Sequence, residues 1–334
     1  MTNNYIFKGI DLFCGIGGSS LGAQDAGVQI LAGFDMWQLA GNVYKVNFPK
    51  AKFYPYRLQD INPLSVKNEL GEIDLILASP ECTSHSVARG NREKDKESLN
   101  LAYEVLRFAD VLNPRWIVIE NVTSMKRWDK YPDFLKRLGD KYKYLEQSLI
   151  ASDFGVPQSR RRLFIICDRE QKPTPITPPQ NITARFASQV LSMNGVYNFS
   201  PLETKKRARA TIERAYRAFK VLGKKEPFLL VYYGSDAAGG WQPLNVPLRT
   251  ITTIDRFALV KPKGTGKGHL MRMLQPPELQ AAMGFPEEFN LTEGTRRDKI
   301  HMLGNAVCPP VMKAIIHSLT GLPEEVPEDG LKII

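Results

Sequence analysis

Through the first half of the chain, short apolar runs alternate with amphipathic stretches. Ile6–Phe13 reads as a buried strand, and the glycine-rich turn after it opens a helix near Ser19–Ala26. Val28–Phe34 reads as a second strand, followed by a helix around Leu39–Phe48. Ile73–Ala78, Trp116–Ile119 and Leu163–Cys167 read as further strands, with helices at Leu99–Leu112 and around Phe134–Leu138 between them. Strands separated by helical patterns predict parallel β-α-β units with right-handed crossovers. The fold class expected is α/β, a doubly wound, mostly parallel sheet.

The pattern then breaks. Lys172–Pro179 carries four prolines and reads as a linker. Glu203–Glu226 reads as one helix, with Ile212, Tyr216, Phe219 and Leu222 on one apolar stripe. It holds nine Lys/Arg against three Glu, so +6 of the chain's net +10 sits here. Such a run is commonly a solvated helix face, and only its surroundings turn it into a polyanion contact. After Trp241 strand-like and helical segments resume, and His301–Leu319 is helix-rich. The expected organisation is a first domain over 1–170, a distinct region over 171–246, and a return over 247–334 that completes the first.

Composition narrows the class. A chain of 334 residues, 43% hydrophobic, has room for two or three domains and a core that needs no staples. No stretch is long and apolar enough to span a bilayer, and the polar start Met1-Thr2-Asn3-Asn4 shows no signal peptide, so no membrane partner is expected. Cys14, Cys82, Cys167 and Cys308 are far apart and form no C-x-x-C pair. That spacing predicts neither structural zinc nor a disulfide framework, and suits a reducing, cytoplasmic setting.

The candidate chemistry lies at the ends of the predicted strands. Asp11-Leu12-Phe13-Cys14-Gly15-Ile16-Gly17-Gly18 ends the first strand and opens a helix, where glycines allow close backbone approach and a helix N-terminus offers donors. It is not the G-x-G-x-x-G pattern, and its bland alternative is a structural turn. Asp35 ends the second strand, a position that takes ribose hydroxyls in nucleotide-binding folds, and Asp60 could accept from an adenine amino group. Ala78-Ser79-Pro80-Glu81-Cys82 puts a cysteine in a loop at the carboxyl end of a strand, and Glu120-Asn121-Val122 puts a carboxylate at the end of the next. Either could be inert: a lone cysteine, or a capping acid. Gln158-Ser159-Arg160-Arg161-Arg162 enters the following strand, with Gln158, Arg160 and Arg162 on one side by alternation.

In this order these segments closely resemble the cytosine-C5 DNA methyltransferase family. The resemblance continues through Arg249-Thr250-Ile251-Thr252-Thr253 and Gly284-Phe285-Pro286 to Gly304-Asn305-Ala306-Val307, nearly the whole chain. It implies the S-adenosylmethionine-dependent methyltransferase fold, S-adenosylmethionine as cofactor, and a cytosine flipped out of double-stranded DNA as substrate. It also implies a small target-recognition domain between the arginine motif and Arg249, the interval that holds the basic helix. By position, Phe13, Gly15, Gly17 and Gly18 would shape the cofactor pocket, and Asp35 would take the ribose. Met36 would pack on the adenine, Asp60 and Ile61 would contact it, and Pro80, Asn305 and Ala306 would border the same pocket. Cys82 resembles the nucleophile, Glu120 the group that grips cytosine N3 and N4, and Arg162 the partner of O2, with Arg160 and Gln158 in support. Gln158, Lys205, Lys206, Arg207 and Arg209 are the expected nucleic-acid contacts. A monomer that meets the nucleoid through DNA, with a cognate restriction endonuclease acting separately, completes the expectation.

The family chemistry explains these residue types. Thiolate attack at C6 pushes electron density to C5, and a protonated Glu120 at N3 stabilises the enamine. Arg162 stabilises charge on O2 and favours the thiolate. The base must leave the stack for C6 to be reached. Two positions depart from the pattern: Glu81 where proline usually precedes the nucleophile, and Met36 where an aromatic is common. Glu81 is expected to brace the loop, against Arg89 or Arg92. Rival readings are an RNA methyltransferase of the same family, a non-catalytic DNA-binding protein on the same scaffold, and a nicotinamide enzyme. The joint presence of Cys82, Glu120 and Arg162 argues against the second, and the lack of G-x-G-x-x-G against the third.

Overall fold

The computed structural model describes residues 7–80, 100–180, 182–233, 238–264 and 268–322. Glu81, Cys82, Arg89 and Arg92 lie outside them. The first sheet has seven strands: β1 (Phe7–Leu12), β2 (Val28–Phe34), β3 (Lys52–Tyr54), β4 (Leu75–Ala78), β5 (Trp116–Asn121), β6 (Lys143–Ile150) and β7 (Arg161–Asp168). Their order is β3-β2-β1-β4-β5-β7-β6. The helices are α1 (Gly18–Asp25), α2 (Gln38–Asn47), α3 (Pro63–Leu70), α4 (Leu101–Leu112) and α5 (Tyr131–Gly139).

Every residue of β4 and β5 is buried, as a sheet covered on both faces requires. Alternation divides them: Leu75, Leu77, Trp116 and Val118 join one core with α1 and α2, while Ile76, Ala78, Ile117 and Ile119 join another with α3, α4 and α5. The chain leaves β1 toward β2 and leaves β4 toward β5, so the crevice between the ends of β1 and β4 is the topological switch point.

One expectation about the sheet is corrected. Leu163–Cys167 is no parallel strand: β7 runs antiparallel to both β5 and β6. β6 and β7 are joined by a short 3-10 turn, Ala151–Phe154, rather than a crossover helix, and a short connection permits only the antiparallel arrangement.

The second sheet is antiparallel, ordered β10-β9-β11-β12-β8: β8 (Ser200–Pro201), β9 (Phe228–Val231), β10 (Trp241–Pro243), β11 (Phe257–Pro262) and β12 (His269–Met273). It therefore draws strands from both sides of residue 246, and the boundary expected there does not hold. Helix α6 spans Arg209–Leu222, shorter than the 203–226 expected. Gly223 (φ 82°) ends it, and Lys205–Arg207 lie in the turn before it. Ala215, Ala218 and Phe219 of α6 pack on Leu230, Ala258 and Val260, whereas Leu229, Val231, Phe257 and Leu259 join the core of the first sheet. The small sheet thus shares a core with the large one. Helices α7 (Pro276–Ala282), α8 (Arg296–Asn305) and α9 (Pro309–Thr320) close the chain, with α9 against α1. Among the described residues no helix is long and apolar enough to cross a membrane.

Candidate active site

The candidate residues gather along the carboxyl edge of the first sheet. After β1, Phe13 (φ 60°) is half-buried, and Gly15 has open space where a side chain would project. Gly17 and Gly18 are packed closely against the rest of the protein. A Cβ on Gly17 (φ 92°) would sit 2.3 Å from the Phe48 ring, and one on Gly18 would sit 2.2 Å from the Val307 carbonyl oxygen. These glycines let α1 seat against α2's end and the start of α9.

Gly17 has no side chain to cap α1, and Asp11 supplies the cap from the strand. Asp11 Oδ2 accepts from the Ser20 amide (3.1 Å) and Ser20 Oγ (2.7 Å), and Ser20 Oγ meets the Tyr44 hydroxyl at 2.9 Å. An anion at a helix N-terminus is favourable. Burial nevertheless dominates and pushes the Asp11 carboxyl up to about 7, with the Ser20 bonds opposing. The folded state therefore holds a proton that the unfolded chain has already lost, and stability from this group falls as pH rises from about 4 to about 7. Asp11→Asn keeps an acceptor for Ser20 and removes the charge. Its stability relative to wild type should rise by about 2 kcal/mol between pH 5 and pH 8 in urea unfolding. A pH-independent difference would mean that Asp11 stays ionised throughout.

Asp35 follows β2, with its two oxygens accepting from the Gly15 amide (2.9 Å) and the Trp37 amide (2.8 Å). It ties the two loops together, and burial still raises its carboxyl above the usual range. Met36 is 65% exposed, while Trp37 turns onto His301, ring centroids 4.8 Å apart. Trp37 therefore does not replace the aromatic that Met36 displaces. Asp60 is exposed in a 3-10 turn, and Arg107 holds that turn through the carbonyls of Leu58 and Ile61. Asn305 is exposed and Ala306 buried at the end of α8, one step before the Val307 carbonyl that touches Gly18. The late motif thus lies against the glycine turn through Val307.

On the other side of the crevice, Pro80 is buried after β4, and its carbonyl accepts from Asn121 Nδ2 (3.2 Å). Asn121 thereby fixes the point where the chain enters Glu81 and Cys82. Glu120 is 6% exposed, and its Oε1 lies 3.1 Å from Arg162 Nε. Burial raises the Glu120 carboxyl; Arg162 and Arg160 oppose that rise without cancelling it. Arg160 is buried and donates to the carbonyls of Ile251 (2.9 Å) and Gly304 (2.8 Å). It binds three distant segments together, and burial brings its guanidinium down to about 9.

Two expected nucleic-acid contacts are engaged by the protein's own groups. Gln158 is wholly buried, donating to the Ala282 carbonyl (3.1 Å) and accepting from the Ile251 amide (2.9 Å). It is a brace inside the protein and has no surface to offer a nucleotide. Arg207 donates to the carbonyls of Leu202 and Pro201 and to Ser200 Oγ, holding β8 to the start of α6. Lys205 and Lys206 are exposed, and Arg209 is exposed beside Glu213 at 2.7 Å.

Asn121, Arg107 and Asp11 received no role from the sequence. Asn121 and Asp11 stood inside quoted motifs, but Arg107 is 46 residues from its partner Ile61, and no local signal marks it.

A crevice at the switch point, flanked by an acid-bearing second loop and a buried Glu–Arg pair, defines a doubly wound α/β protein with a ligand edge. The model of the C-5 cytosine-specific DNA methylase family matches residues 7–321, and the chain belongs to that family: it is a DNA methyltransferase acting at cytosine C5. It is 30% identical to the Type II methyltransferase M.HgiDI of Herpetosiphon aurantiacus over 305 residues, 90% of each chain. It is 27% identical to the Type II methyltransferase M.HindV of Haemophilus influenzae, over 95% of this chain and 98% of that one. Among solved structures, Spodoptera frugiperda DNMT2 (a triple mutant) superposes with TM-score 0.67 at 20% identity, over 94% of this chain and 99% of that one. Entamoeba histolytica methyltransferase EhMeth gives 0.61 at 19%, over 94% and 97%. At these identities the structures support the fold.

Proposed function

We propose that the chain methylates C5 of a flipped-out cytosine within a specific double-stranded DNA sequence, with S-adenosylmethionine as donor. The reading rests on the buried Glu120–Arg162 pair beside the Pro80 carbonyl that Asn121 anchors. The residues at the crevice suit the cofactor: Asp35 for a ribose diol, exposed Met36 for an adenine face, Asp60 and Ile61 for its edge, and open space at Gly15. When bound it supplies an electrophilic methyl group. Cys82 attacks C6, Glu120 donates to N3, and Arg162 binds O2. Departure of the C5 proton and elimination of the thiolate then restore both product and enzyme. Arg160 positions Arg162's strand against the segments at Ile251 and Gly304. The Type II names of the relatives favour a separate companion endonuclease. Labelled methyl transfer to duplex DNA against total tRNA, with bisulfite sequencing of cells expressing the chain, tests the reading. Transfer to tRNA alone would replace it with the RNA alternative.

Lys205 and Lys206 remain the candidate phosphate contacts on the small domain. Replacing both with alanine should reduce the log–log salt slope of DNA binding by about 0.9 for each phosphate no longer neutralised. Arg207→Ala should instead lower thermal stability, since it removes the brace on β8. An unchanged slope in the double lysine variant would make this turn an ordinary solvated face.

A further inference from the structure

Glu120 borders a gap of about 10 Å³. Its lining is Leu149 and Phe164 of the sheet, Ala151, and Val307, Cys308 and Val311 around the start of α9, beside Arg160 and Arg162. A gap of that size is at or below the lower limit for one water molecule, so it is no ligand site. Its walls are what bear on Glu120. A helix N-terminus normally presents amide donors and a positive field, which would hold a carboxylate ionised. Here the first two helical residues are Pro309 and Pro310, which have no N–H. The next two amides, of Val311 and Met312, turn onto the Cys308 carbonyl at 3.1 and 3.4 Å. The first turn of α9 therefore abuts Glu120 without aiming an amide at it, and what it brings to the gap is a thiol and two valines.

The geometry points to a further set of positioning residues for the methyl transfer: Cys308 and Val311, with Pro309 and Pro310, form a wall without amide or hydroxyl donors that keeps Glu120 able to hold a proton. The inference rests on Glu120 acting as the acid at N3. Among the described residues, the titratable and charged groups facing Glu120 are Arg162 from β7, Arg160 before it, and Cys308. Both arginines favour the ionised carboxylate. Burial, to which this wall contributes, is what acts against them and raises the carboxyl.

The test is the pH profile of single-turnover methyl transfer to duplex DNA. The rate should fall on the alkaline side as Glu120 loses its proton. Cys308→Ser puts a hydroxyl donor in the wall, and a hydrogen bond to the ionised form should move that fall about one pH unit lower, about tenfold in rate above it. Val311→Thr should act in the same direction. Cys308→Ala, which adds no hydroxyl, should keep the wild-type midpoint. A loss of rate without a shift in either hydroxyl variant, or an equal shift in Cys308→Ala, would overturn the wall. A wild-type profile without an alkaline fall, or a fall that persists in Glu120→Gln, would overturn the acid role of Glu120 and the wall with it.

Discussion

Cys82→Ser is expected to abolish methyl transfer while leaving duplex DNA and cofactor binding intact. The loss should be on the order of 10⁴-fold or more, as for other enzymes stripped of their nucleophile. A serine hydroxyl is a poor nucleophile at neutral pH and lacks the thiolate's balance of attack and departure. Ser79 donates to the Leu12 carbonyl at 3.1 Å and Asn121 holds the Pro80 carbonyl, so the last described residue before Glu81 and Cys82 is fixed at the crevice. Duplex DNA with 5-fluorocytosine at the target should give the wild type an SDS-resistant adduct, because fluorine cannot leave as the C5 proton does. The same adduct in the serine variant would overturn Cys82 as the nucleophile.

Glu120→Gln should lower the rate of methyl transfer by about 10² to 10⁴-fold, the range of a positioned general acid. The amide can still donate to N3 but cannot deliver a proton. The change also leaves Arg162 without its carboxylate partner at 3.1 Å, so a loss of stability is expected beside the loss of rate. Single-turnover rates separate the two, since bound DNA and cofactor report folded enzyme. If Glu120→Gln retained rates within tenfold of wild type, proton delivery would come from elsewhere. Burial raises the Glu120 carboxyl, so its proton should be lost above the usual carboxylate range, and the wild-type rate should fall on that side.

Much of this was legible in the chain. Apolar runs such as Val28–Phe34 became strands with the expected limits, because a strand buried on both faces needs a continuous apolar run. Motif order placed Asp35 and Glu120 at the carboxyl ends of parallel strands, which share one edge in an open α/β sheet; Arg162 begins its strand and reaches that edge only because β7 runs antiparallel. Local alternation also put Gln158, Arg160 and Arg162 on a common side. What alternation could not say is what that side would meet. Gln158 and Arg160 face the protein's own carbonyls at Ala282, Ile251 and Gly304, and only Arg162 reaches the acid.

The rest depended on contacts between segments far apart in sequence. β7 runs against β5 because a short turn leads from β6, and an apolar run reads the same in either direction. The small sheet crosses residue 246 because β9, beside its hairpin partner β10, also pairs with β11, and β8 pairs with the distant β12. Gly18 is required by a carbonyl from Val307, and Arg207 by carbonyls at 201 and 202. The sequence by itself determined which residue types stand at which strand ends, since hydrophobic period and motif spacing are local properties. Only the tertiary structure decided which polar groups face the crevice and which brace the fold, because that depends on partners that folding alone brings within hydrogen-bond reach.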